Sequence, residues 1–522
     1  MADMPSARSR PPHRRTARPR PHRAPGRRRM VPGLALGVLL LVALAGIGSA
    51  GVLRADAPAE PAGERPKAYS TALPFDLPPT AELRRSGKLV FAHYFTPYPL
   101  SLDNEPAERD YYTRNYLTPH GEKGKHRAYG GLLRDRPLPV APEAGNWQLA
   151  HLRQEIRTAR DAGLDGFTLD LLSAGGRNWD RAELLLRAAH EEDPGFRIQL
   201  MPDMTALTAT TPAELADSLA RLARHPAAHR LPDGRLVVSP FKAEEKEPDW
   251  WREMMRDLET RHGIRTALVP LFLDFTAERE RYAAISHGFS EWGARSPGRQ
   301  DGAAADAQRA HRLGKIWMQP VSVQDARPNQ GVYDEAGNTE TLRASWGAAL
   351  ESGADWVQLT TWNDYSEGTH FAPSLHNGYA YLDLTSYYLT RFKTGDWPRI
   401  VRDTVYLTSR VQFVDDTPSA RLQPQLIEPR SGTATPRDTV EVLSFLTAPA
   451  QVRTDTGGTA GGHRAPTGVH AELLPLRPGH SSATVVRDGK TTTTVTSRYP
   501  VRRAVDKQDL QYYAVTSGRG QR

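Results

Sequence analysis

The chain has 522 residues, more than one ordinary domain needs, and its 39% hydrophobic content suffices for globular cores. Its net charge of +8 is a terminal feature: residues 1–30 hold ten Arg and one Asp, which leaves −1 for everything after Met30. With no basic stripe among aromatics downstream, that balance argues against nucleic-acid binding; the absence of cysteine excludes disulfides and thiolate metal sites, so core size must hold the fold.

Residues 31–53 run for 23 positions without a charge, long enough at about 1.5 Å per residue to cross a bilayer. The Arg-rich residues 1–30 form the flank expected to stay in the cytoplasm, which places the rest of the chain outside. The segment is either a secretory signal cleaved near Ala50 or Ala57, or an uncleaved anchor. Both readings make the protein extracellular, secreted or membrane-anchored. Contact with the membrane is expected only through residues 31–53, if they are retained. Residues 54–86 are rich in Ala, Pro and Glu and read as a linker.

From Lys88 onward, short apolar runs alternate with segments of helical period. Eight strands are expected, at 89–95, 166–172, 197–204, 236–241, 267–275, 288–293, 316–323 and 356–361. Between them, Leu149, Leu152, Ile156 and Ala159 make one apolar helical stripe. Thr211-Pro212-Ala213-Glu214 is a capping box with proline at the first helical position, and Leu215, Leu219 and Leu222 follow on one face. Asp180 is expected to open another helix, and Thr339 to cap the one carrying Leu342, Trp346 and Leu350. Eight such units over 87–398 predict an α/β fold, a (β/α)8 TIM barrel, whose active site lies at the strands' C-terminal ends. Polar residues stand there: His93 and Tyr94, Asp170, Asp203, Asp274, Glu291 with Trp292, and Gln319. The connection at 96–146 spans 51 residues and carries Tyr98, Tyr111, Tyr112 and Tyr116; a loop of that length is expected to fold over the pocket and line it.

The eighth strand runs into Thr361-Trp362-Asn363-Asp364-Tyr365-Ser366-Glu367-Gly368-Thr369-His370. Two carboxylates among aromatics at a strand's end suit hydrolysis of a sugar–sugar bond. One carboxyl must hold a proton for the leaving oxygen, and the other must be ionised to activate water or to attack. A spacing of three puts Asp364 and Glu367 on one side of a helical turn, and like charges in proximity push one pKa upward. Separate from this catalytic pair, the expected substrate-binding set is His93, Tyr94, Asp170, Asp203, Asp274, Glu291, Trp292, Gln319, Trp362, Asn363, Tyr365 and His370. The competing roles are a buried structural His for His93, helix caps or buried ion pairs for the Asp and Glu residues, and packing in the barrel rim for Trp292 and Trp362. No cofactor and no metal are expected, since His93, Asp170 and Asp203 lack a recognised ligand spacing.

Residues 399–522 change in grammar. Strands at 404–408, 411–414, 439–445, 482–486, 491–499 and 510–515 between Gly/Pro/Thr-rich turns predict an antiparallel, sandwich-like β domain. Its role is either a structural cap on the barrel or a glycan-binding module.

At the level of motifs the chain resembles glycoside hydrolase family 71, the α-1,3-glucanases or mutanases, and more distantly the family 99 endo-α-mannosidases. Val90-Phe91-Ala92-His93-Tyr94 is similar to the family's first-strand motif, Ala162-Gly163-Leu164-Asp165-Gly166-Phe167 to its second, and Leu200-Met201-Pro202-Asp203-Met204 to its third. Asn363-Asp364-Tyr365-Ser366-Glu367 matches its catalytic motif, where Gly is usual at the position of Ser366. After Glu367 the family tends to Ser-His-Tyr, whereas Gly368-Thr369-His370-Phe371 is nearer to family 99. The resemblance implies an endo-hydrolase of α-1,3-glucan, with Asp364 as base and Glu367 as acid, acting on a polysaccharide or oligosaccharide. Alternatives are an endo-α-mannosidase-like hydrolase and a non-catalytic glycan-binding barrel, which would have no need of a proton donor.

Overall fold

The computed structural model describes residues 73–519. The expectations for residues 1–30 and 31–53, and for 54–72 of the linker, lie outside the described residues. Among the described residues, no helix is long and apolar enough to cross a membrane. Residues 73–86, read as the linker's end, pack against the body instead. Phe75 bridges to Ile400, and Phe75 and Leu83 are buried in the main core. Two apolar side chains in a Pro-rich stretch are enough to fasten it.

Eight parallel strands close into a barrel: β1 Leu89–Tyr94, β2 Gly166–Leu171, β3 Arg197–Pro202, β4 Leu236–Val238, β5 Thr266–Leu268 resuming as Leu271–Phe272, β6 Gly288–Glu291, β7 Ile316–Val321 and β8 Trp356–Leu359. The neighbour order runs β5-β4-β3-β2-β1-β8-β7-β6 and back to the second half of β5. Pro270 interrupts β5 because it donates no ladder hydrogen bond. The first half pairs with β4 and the second with β6, while single bridges from Phe241 to Leu271 and from Leu268 to Ser286 complete the ring. A helix follows each strand: α1 Trp147–Asp161, α2 Arg177–Glu192, α3 Pro212–Leu222, α4 Pro248–His262, α5 Phe275–Tyr282, α6 Ala303–Arg312, α7 Glu340–Glu351 and α8 Ala380–Thr394. The TIM barrel is therefore present.

Helix starts follow their local chemistry. The capping box at Thr211 forms both of its bonds. Helix α2 begins at Arg177, before Asp180, because Gly176 at φ 76° turns the chain into it. Thr339 stands at the N-cap of α7, but its side chain makes no capping bond: the hydroxyl donates to the Glu441 carboxylate and its oxygen accepts from Arg343 Nε at 3.0 Å.

The C-terminal part is a sandwich of two antiparallel four-stranded sheets. With β9 Thr404–Ser409, β10 Thr439–Leu446, β11 Ala450–Thr456, β12 Thr459–Ala465, β13 Gly468–Pro475, β14 Ser481–Arg487, β15 Lys490–Thr496 and β16 Tyr513–Thr516, the orders are β13-β10-β9-β16 and β12-β11-β14-β15. Val405, Val440 and Val442 meet Val452, Ala483 and Val485 in its core. The strand expected at 411–414 is not one: apart from a single bridge from Gln412 to Arg502 it makes no ladder. Buried charges join sandwich to barrel. The fully buried Glu441 accepts from the Thr339 amide at 2.8 Å and from Arg343 at 2.8 Å, and Arg410 pairs with Glu335 at 2.6 Å with both side chains 1% exposed.

Candidate active site

Strand alternation decides which side chains enter the barrel. Leu89, Phe91, Val237, Ala267, Val269, Met318 and Trp356 fill its lower interior. Above them lies a polar layer, in which the Thr168 hydroxyl bonds Gln358 at 2.7 Å and Gln199 at 3.2 Å. The next inward positions of β1 and β2 are His93 and Asp170, with Nε2 and Oδ2 3.9 Å apart. Asp203 follows β3, and its Oδ1 accepts from the Thr205 amide and hydroxyl.

The turn after β8 folds back on itself. Trp362 N donates to His93 O at 2.7 Å, Phe371 N to Thr361 O at 2.9 Å, and Thr369 N to Asp364 O at 3.2 Å. Gly368, at φ 65°, makes the reversal; a Cβ there would stand 2.2 Å from the Gln511 amide nitrogen. Asp364 Oδ1 accepts from the Ser366 hydroxyl at 2.6 Å, the Ser366 amide at 3.0 Å and the Glu367 amide at 3.3 Å. Glu367 Oε1 lies 2.6 Å from Arg327 Nη1, whereas its Oε2 is buried with no partner. Arg327 arrives on a hairpin, Asp325–Arg327 with Val332–Asp334, which is pinned where Ala326 N donates to Glu367 O at 2.7 Å. Its guanidinium is shared with Asp325, at 2.6 Å.

These carboxyls feel one another. Asp170 is pushed well above the usual range by burial and then by the charges of Asp203, Asp364 and Glu367. Glu367 is pushed up to about 8 by burial and by Asp364, against the pull of Arg327, whose charge Asp325 already offsets. Burial also raises Asp364, but the Ser366 hydroxyl bond and Arg327 work for its ionised form. The arrangement leaves Glu367 one bare oxygen and gives Asp364 Oδ1 three donors. His93 is held down to about 3 by burial and by Arg295, so it is neutral. Trp292 meets it edge-on at 5.1 Å, and Arg295 lies over the Trp292 ring at 5.1 Å. Trp292, Arg295 and Arg327 line a cleft of about 450 Å³ beside the carboxyl cluster. From the long loop, Tyr98 comes within reach of Asp364 and Ser366, and the Asp364 charge adds to the burial that raises its hydroxyl.

Thus the structure brings together His93, Asp170, Asp203, Trp292, Asp364 and Glu367. Others of the expected substrate-binding set are engaged by other partners, and of these Glu291 and Gln319 also line the cleft. Tyr94 lies on the outward face of β1 with Val90 and Ala92, and its hydroxyl bonds Glu155 of α1 at 2.8 Å. Trp362 turns to the same carboxylate, at 3.3 Å from Nε1. Glu155 is itself pushed up to about 7 by burial. Asn363 spends its whole amide on backbone, with Oδ1 accepting from Phe95 N at 2.7 Å and Nδ2 donating to Phe95 O and Tyr98 O. Tyr365 packs with Tyr98, Tyr112 and Leu133. His370 is fully buried, 3.0 Å from Asp135. Asp274 is an exposed helix cap accepting from Ala277 N. Gln319 lines the cleft with Trp292, its side-chain oxygen accepting from Trp317 Nε1 at 2.7 Å. Glu291 lines the same cleft, pushed up to about 7 by burial and by Asp306. Arg295, Arg327 and Asp325 were not anticipated; they sit on connections without hydrophobic period, where the signal was only their charge.

The model of glycosyl hydrolase family 71 matches residues 140–519, most of the chain. The chain belongs to this family. It is therefore a glycoside hydrolase. Among its relatives, a glucan endo-1,3-alpha-glucosidase of Schizosaccharomyces pombe is 24% identical over 374 residues, covering 66% of this chain and 84% of that protein. A mutanase of Penicillium rubens is 24% identical over 378 residues, covering 66% and 80%. An endo-alpha-mannosidase structure of family 99 from Bacteroides thetaiotaomicron aligns with a TM-score of 0.47 and 16% identity over 58% of this chain and 97% of that one.

Proposed function

We propose that this family 71 enzyme is an extracytoplasmic, endo-acting hydrolase of α-1,3-glucan, with Glu367 as the general acid and Asp364 as its ionised partner. The observation that carries the roles is the contrast within the pair: three donors on Asp364 Oδ1, and a partnerless, buried Oε2 on Glu367 whose proton is retained up to about pH 8. The substrate follows the printed activities of the fungal relatives; the location follows the 23 uncharged residues at 31–53. In this reading Glu367 protonates the glycosidic oxygen as the bond to the anomeric carbon breaks, and Asp364 stabilises the positive charge on the ring side or activates water. Asp170 and Asp203 accept from sugar hydroxyls, and Trp292 offers a flat apolar face.

Asp364→Asn and Glu367→Gln are each expected to fold and to lose at least ~10³-fold in kcat on α-1,3-glucan. Near-native turnover by either variant would sink the assignment. A panel of α-glucans and α-mannans, with products read by mass, tests the substrate, and release of internal fragments rather than terminal sugar tests the endo mode.

A further inference from the structure

The open end of the β-sandwich carries an unusual set of side chains. Along β12, Ala465 belongs to the sandwich core, so His463, two residues earlier, faces the same way. Along β13, Leu474 packs on that core, so Glu472 and His470 share its face. Strands β12 and β13 are the edge strands of opposite sheets. His463, His470 and Glu472 therefore stand between the two sheets where the apolar filling gives out. Their ligating atoms all lie within 4.8 Å of one another, and the two imidazole rings are 5.5 Å apart. His463 Nε2 is buried and has no hydrogen-bond partner.

We propose that His463, His470 and Glu472 form a binding site for a divalent transition-metal ion of the zinc type, which clips the two sheets together at this edge. Two imidazoles and one carboxylate are a donor set for zinc and its neighbours rather than for calcium or magnesium, which prefer oxygen. Bonds of about 2.1 Å in a tetrahedral site need ligand atoms about 3.4 Å apart. His470 Nε2 and Glu472 Oε2 are already 3.8 Å apart, and no pair need close by more than about 1.4 Å, which their torsions allow because all three are half-buried. A chain without cysteine has no disulfide for this task, and an ion bound by both sheets adds its binding energy to the folded state. The site is independent of the carboxyl pocket and of the function proposed for it.

The test uses the full chain and zinc alone. Calorimetric titration of metal-stripped protein is expected to show one zinc ion bound per chain at micromolar affinity or tighter, with a rise in Tm. His463→Ala and, separately, His470→Ala should each weaken that binding by at least ~100-fold and abolish the Tm rise, while hydrolysis of glucan is unchanged. Glu472→Gln, which keeps the shape, should weaken it less and serves if a His variant folds poorly. No saturable binding by the natural chain, or binding that persists undiminished in the variants, overturns the proposal.

Discussion

Ser366→Ala isolates the mechanism at one hydrogen bond. The Ser366 hydroxyl donates to Asp364 Oδ1 at 2.6 Å and is the first of the interactions that oppose the upward push of burial on this carboxyl. A hydrogen bond to a charged group contributes about 1.5–3 kcal/mol. At 1.36 kcal/mol per pKa unit this corresponds to about one to two units. Ser366 is half-buried, so water recovers part of the loss and about one unit is the working figure. Without the hydroxyl, Asp364 needs a higher pH to ionise. The acid limb of kcat/KM should therefore move up by about one pH unit, while the alkaline limb, set by loss of the Glu367 proton near 8, stays in place. Ser366→Gly, the residue usual in this family, should give the same displacement. The assay is reducing-end release from soluble α-1,3-glucan oligosaccharides across pH 4–10, with both limbs fitted as properties of the coupled pair. If the acid limb does not move, or if both limbs move together, Asp364 is not the ionised partner and the division of roles falls.

Three further outcomes are expected. Glu367 holds a proton up to about 8 in the fold against an ordinary 4.5, so its contribution to stability is full below about pH 4.5 and is lost as pH rises through 8. Glu367→Gln should match the natural chain near pH 4 and exceed it by up to about 4 kcal/mol at pH 9, read by denaturant unfolding; a variant less stable at pH 9 contradicts this. Asn363→Ala removes three bonds to the backbone after β1 and should lower kcat/KM by roughly 10–100-fold through misplacement of the adjacent Asp364, with circular dichroism unchanged. Lys393→Met removes the countercharge of Asp165, now 2.5 Å from Lys393 Nζ with both side chains almost fully buried, leaving its Oδ2 only the Val90 amide at 2.7 Å, and should cost about 3–5 kcal/mol in chemical denaturation while activity per folded molecule is retained.

All eight barrel strands were legible because each is a short apolar run ending in polar residues, and the same pattern pointed to His93, Asp170, Asp203, Asp364 and Glu367. Tyr94 faces away from the barrel interior by the period-two rule: on β1 the odd positions Leu89, Phe91 and His93 enter the barrel and the even ones meet helices, whereas Trp362, in the turn after β8, is drawn to Glu155 of α1. Asn363 and His370 looked available because polar residues in a turn do not reveal that backbone or Asp135 already claims them. Arg295 and Arg327 reach the site only by tertiary folding of segments with no periodic signal. In the sandwich, β11, β12 and β13 went unread because their Thr, Gly, Arg and His content lacks the apolar alternation that marked β10.

Glu441 gives the sandwich a standing that a tethered sugar-binding module would lack. Its carboxylate is the hydrogen-bond acceptor for the first turn of barrel helix α7, and Arg410 answers a barrel-side glutamate in the same seam. An enzyme shortened to its barrel would leave the Thr339 amide, Arg343 and Glu335 without their counterparts. The C-terminal sandwich is thus not portable cargo: shuffling it onto another hydrolase, or trimming it to make a smaller catalyst, would sever the scaffold on which the hydrolytic machinery rests.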